Sequence, residues 1–105
     1  MNILAFFIPI EFLGEFVIFI GAGWLDSSGQ ISHLEQVYGS TTTDDCKIAC
    51  RIRSGCVAFT FVSASNRCDL KNSQQAVTLQ ENLPTTIISG IMQFQTIANS
   101  GCKSY

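Results

Sequence analysis

Apolar positions along this chain fall into three regimes. Residues 1–23 are apolar in blocks, Ile3 to Ile8 and then Phe16 to Ile20, interrupted by Glu11 and Glu15. From Asp44 the apolar residues recur at helical spacing: Cys46 and Cys50 are four apart on one face, with Ala49 between them and Ile48 and Ile52 widening the stripe. Thr42, Thr43, Asp44 and Asp45 form a start signal, because a threonine hydroxyl accepts a free backbone N–H and acids favour the positive end of the helix dipole. Lys47, Arg51 and Arg53 follow toward the negative end, and Gly55 offers a left-handed stop. The spacing predicts a helix from about Asp44 to Ser54.

After Gly55 the period falls to two. Val57, Phe59 and Phe61 alternate with Ala58, Thr60 and Val62 in a β-branched and aromatic run, which predicts a strand. Ser63 to Asn66 are turn formers, and Arg67 to Lys71 returns with Cys68 and Leu70 on one side, so the pair reads as a hairpin with a four-residue loop. Upstream, Trp24-Leu25 opens the domain, Asp26 to Gln30 is a turn cluster, and Ile31 to Tyr38 holds short strand candidates. Downstream, a weak strand near Ala76 to Leu79 precedes a closing strand over Thr86 to Gln95. There Ile88, Met92 and Phe94 share a face, and Gly90 marks a bulge or a close approach.

Four of the five cysteines lie within this helix and hairpin. Cys50 stands near the helix C-terminus and Cys56 at the mouth of the next strand, within the roughly 5.5 to 6 Å Cα separation a disulfide prefers. The strand then runs back along the helix for roughly 20 Å, and the hairpin delivers Cys68 beside Cys46. Of three possible connectivities, geometry favours Cys46–Cys68 with Cys50–Cys56. On the loop-entropy model these closures contribute about 3 and about 2 kcal/mol, comparable with a small domain's net stability.

The acidic helix start with Asp45-Cys46, then Cys50, Cys56, the aromatic strand Phe59-Thr60-Phe61 and the run Cys68-Asp69-Leu70-Lys71, resembles the PAN/apple family over roughly Trp24 to Gln95. The resemblance implies an α+β fold, one α-helix packed on a curved antiparallel sheet and stapled by two nested disulfides. It also implies a non-catalytic extracellular module, residues 24–98, that recognises protein or carbohydrate. Apple-type members often join the two ends of the module by a third disulfide. Here Cys102 has no cysteine before Cys46 to meet, so it is an unpaired thiol on a tail, residues 99–105, or the link of a disulfide-bonded dimer.

Residues 1–23 read as an atypical secretory leader, with small residues at Gly21-Ala22-Gly23 suited to cleavage but no Lys or Arg at the front. The two acids disfavour a stable membrane span, and contact with a lipid surface is expected only if the leader is retained. Secretion accords with the cysteines. Beyond the leader, 82 residues are few enough that an apolar core alone is marginal and staples are useful.

The formal net charge of −2 is accounted for by Glu11 and Glu15, leaving a near-neutral module with no basic excess for nucleic acid. His33, the only histidine, has no Cys or Ser at a recognisable spacing and reads as a surface residue, so no enzyme is expected. Cys46-x3-Cys50 and Cys56-x11-Cys68 lack zinc-knuckle spacing, and neither metal nor cofactor is expected. Helix capping explains Asp44 and Asp45 without chemistry. Lys47, Arg51, Arg67 and Lys71 remain as ligand-binding candidates: the disulfides would draw them toward one edge, where they could hold an acidic glycan or an acidic protein loop. The alternative function, a stand-alone secreted effector or protease inhibitor, would need a rigid exposed loop, and Ser63 to Asn66 is short for that.

Overall fold

The computed structural model describes residues 16–93. In chain order its elements are β1 (Phe16–Ile20), β2 (Gly23–Leu25), β3 (Glu35–Tyr38), α1 (Thr43–Ile52), β4 (Ala58–Val62), a 3-10 turn (Ser63–Ser65), β5 (Arg67–Lys71), β6 (Thr78–Gln80) and β7 (Ile87–Met92). A five-stranded antiparallel sheet has the order β1-β7-β4-β5-β3, and β2 pairs with β6 in a separate two-stranded ribbon. The single helix of the described residues packs on one face of the large sheet, giving the α+β class with the two disulfides in the order geometry favours.

α1 starts at a capping box. The Thr42 hydroxyl accepts from the Asp45 N–H, and the Asp45 carboxylate accepts from the Thr42 N–H, both at 3.2 Å. Hydrogen bonds from the Thr41 and then the Thr42 N–H hold the Asp45 carboxyl below the usual aspartate range. The helix ends at Ile52, short of Ser54, and Gly55 is not its stop. Arg53 is already extended, and Gly55 takes its left-handed φ of 86° in the turn that follows. The early exit follows from the Cys50–Cys56 bridge: a Cα separation of 5.3 Å across six residues requires the chain to reverse at once. Cys46 and Cys68 meet at 5.4 Å between Cα atoms.

Between helix and sheet lies an apolar layer of the four cysteines with Phe59, Phe61 and Leu70, joined by half-buried Phe16, Leu34, Val37, Ala49, Ile88 and Met92. Phe59 is fully buried, and removing such a side chain from water is worth about 2 to 3 kcal/mol. Its register partner on β7 is Gly90, where an added Cβ would stand 2.6 Å from the Phe59 ring. Gly90 is therefore a close approach within unbroken pairing, not a bulge.

The leader expected over residues 1–23 overlaps this architecture. Residues 1–15 lie outside the described residues, but Phe16–Ile20 is the edge strand β1, and Phe16 meets Phe59 edge to face at 5.4 Å between ring centroids. Gly21 and Ala22, within the expected cleavage site, are buried, and Gly21 exchanges backbone hydrogen bonds with Ile87 and Leu83. Phe94, Cys102 and the tail 99–105 fall outside the described residues. The weak strand sits slightly later than expected, at Thr78–Gln80.

Candidate functional site

Alternation along β5 decides which side chains reach which face. Cys68 and Leu70 enter the helix-side core, so Arg67, Asp69 and Lys71 point to the opposite face. Register extends that face: Val62 pairs with Arg67, Thr60 and Gln36 with Asp69, Ala58 with Lys71, and Tyr38 with Arg67. The ribbon of β2 and β6 covers the β4 and β7 part of it. Trp24 is anchored there by its backbone N–H to the Thr60 hydroxyl at 3.3 Å and by its ring N–H to the Gly90 carbonyl at 3.2 Å. The Ser89 hydroxyl donates to the Ala22 carbonyl at 2.7 Å and lies 2.9 Å from that of Thr60, so the buried polar groups beneath the ribbon are satisfied.

Where the ribbon ends, a cavity of about 200 Å³ opens between it and β5. Trp24, Ile31, Val62, Leu83 and Ile87 form apolar walls, and the Arg67-Asp69-Lys71 row forms its charged side. Arg67 binds Asp69 in a fork, Nε to Oδ1 at 2.8 Å and Nη2 to Oδ2 at 3.1 Å. That contact comes first among the causes that raise the Arg67 pKa, so the guanidinium stays charged. Asp69 is nearly buried, 5 % of its side chain being exposed against 27 % for Arg67, so the arginine is the member of the pair that solvent reaches.

Lys71 is buried, and loss of water lowers its pKa, against a smaller opposing pull from Asp69. Its ammonium donates to the Ser32 carbonyl. That carbonyl is positioned by Asp26, whose carboxylate ties the 26–32 turn together. It accepts from the Ser28 hydroxyl at 2.6 Å, the Ser28 and Gln30 N–H groups at 2.9 and 3.0 Å, and the Ser32 hydroxyl at 2.9 Å. These bonds, the Ser28 hydroxyl first, lower the Asp26 pKa to about 2.

The four candidate cations do not converge. Lys47 pairs with Asp44 on the exposed helix at 3.5 Å, and the Arg51 guanidinium stands 5.6 Å from the centroid of the Phe16 ring. Arg67 and Lys71 sit on the far side of the sheet. The cause is the strand's own period: the bridge that brings Cys68 to the helix turns its neighbours away from it. The same alternation is the signal that could have found Asp69, Gln36 and Tyr38, which sequence reasoning missed. Trp24 reaches the cavity from the ribbon and Ile31 from the segment that follows β2, and no local pattern marks them.

The four core sulfurs are all bonded in pairs, and among the described residues no group of three His, Cys, Asp or Glu side chains is placed to hold a metal. His33 is exposed in the segment before β3. A family model described as PAN domain matches residues 24–102, well over half of the chain; β1 precedes the matched span. No curated protein matches the chain at a significant level.

Proposed function

The chain belongs to the PAN domain family, extracellular-type modules that interact with protein or carbohydrate, and from that premise we propose that it is a non-catalytic binding module working outside the cell. We place its contact surface on the helix-free face, at the cavity and the adjoining open stretch of β5 and β3. The supporting observation is the pairing of apolar walls with one reachable, charged side in a concave site, an arrangement suited to holding a ligand with both characters. Beside it Tyr38 is exposed and donates from its hydroxyl to Gln36, adding an aromatic and amide surface at the rim. Two buried disulfides accord with an oxidising compartment, and among the described residues no helix is long and apolar enough to cross a membrane. The 3-10 turn after β4 is short and tied to Thr86 by the Ser63 N–H and hydroxyl, which speaks against a protruding inhibitory loop.

Arrays of glycans and of extracellular proteins, probed with the oxidised full chain, test the reading. A ligand recovered chemically intact, with binding at least tenfold weaker for Asp69→Asn and unchanged for Lys47→Ala, is the expected result. Binding lost with Lys47→Ala but retained with Asp69→Asn would move the contact surface to the helix.

A further inference from the structure

We propose that the cavity beside the Arg67-Asp69-Lys71 row accepts an apolar side chain bearing a free carboxylate, as presented by the C-terminal residue of a protein partner. This rests on the helix-free face being the binding face. Its volume of about 200 Å³ leaves room for one leucine-sized or phenylalanine-sized group. Trp24, Ile31 and Leu83 offer such a group apolar contact, whereas sugar hydroxyls set against them would lose water without gaining partners.

Charge supplies the second requirement. Asp69 and, beyond it, the Asp26 carboxylate balance Lys71 and part of Arg67, and the Arg67 guanidinium is the cation of the row that solvent reaches. Asp69 occupies Nε and Nη2 of Arg67, and Nη1 has no hydrogen-bond partner among the described residues. The arginine is thus held in a fixed orientation by one carboxylate while a further N–H edge remains for another. Lys71, buried and anchored on Ser32, closes the inner end of the row. A C-terminal apolar residue matches both features in one group: its side chain fits the walls and its carboxylate meets the guanidinium at the rim.

Trp24 is the only tryptophan of the chain and lines the cavity, so its emission reports occupancy directly. The oxidised full chain is titrated at constant ionic strength with N-acetyl-leucine, with N-acetyl-leucinamide and with glucuronic acid. The expected result is a saturable change with N-acetyl-leucine at about 1 mM or below, at least tenfold weaker binding of the amide, and a comparable loss in Arg67→Gln. Equal affinity for acid and amide overturns the proposal, as does no response to either. Binding of glucuronic acid in preference to N-acetyl-leucine also overturns it, while leaving the face as the binding surface. The acid-to-amide ratio is read on the unaltered chain, so the test stands even if Arg67→Gln fails to fold. A ligand found on the arrays that depends on Asp69, together with no response here, separates failure of this proposal from failure of the binding face.

Discussion

The two faces of the large sheet are cut from the same five strands, residue by residue in alternation, yet different forces hold them. Toward α1 the contacts are covalent and apolar: two sulfur bridges, Phe59 under Gly90, and Phe16 capped by Arg51. Away from it the contacts are directional and polar: the Thr60-Ser89 hydroxyl pair, the indole N–H of Trp24, and the Arg67-Asp69 fork. A face stapled by disulfides leaves its opposite side free to carry charge and a concave site in a domain this small.

Reduction tests that division most severely. Loss of both bridges is expected to lower the unfolding free energy by about 5 kcal/mol, much of what a small domain possesses. Urea titrations read by Trp24 emission, with and without reductant, measure it; a change below about 1 kcal/mol would show that the sulfurs are not what holds the helix side. Gly90→Ala comes next. Its methyl group must displace the Phe59 ring, at a cost of about 2 kcal/mol in the same titration, and a neutral result would mean that the ring moves freely.

On the other face, Thr60→Val keeps the shape but leaves the Trp24 N–H without its acceptor, and about 1 to 2 kcal/mol is expected to be lost with the disulfides intact. The smallest effect is confined to the 26–32 turn. Asp26 has a pKa depressed from 3.8 to about 2, so its carboxylate supports the turn fully above pH 3.8 and ceases to do so as pH falls through about 2. Amide resonances of Ser28 and Gln30 should titrate with that lower midpoint and lose the transition in Asp26→Asn. A midpoint near 3.8 would mean that the turn does not hold the carboxylate.

What sequence could reveal divides along the same line. The capping residues Thr42 and Asp45, the change of period after Gly55 and the nested pairing of Cys46, Cys50, Cys56 and Cys68 are local signals, and the helix side follows from them. The opposite face is assembled from segments far apart in the chain, and little in any one of them marks it. Phe16–Ile20 is uniformly apolar, so it carries no period-two signature and nothing local marks it as the strand that pairs with β7. The cations were legible as residues but not as a site, because Arg67 and Lys71 stand at odd spacings from Cys68 on one strand and must face away from the helix that Cys68 is bridged to. Helix length failed for a related reason: Gly55 looks like a stop, but the short Cys50–Cys56 loop ends the helix first.

The placement of β1 also ties the start of the described fold to its end. Among the described residues its partner in the sheet is β7, with Phe16 opposite Met92 and Ile20 opposite Ile88. All four bridging cysteines lie between these two strands in the chain, so the disulfides shorten the loop that the β1–β7 pairing must close. The cavity wall that Ile87 supplies belongs to β7, so the shape of the cavity depends on that long-range closure.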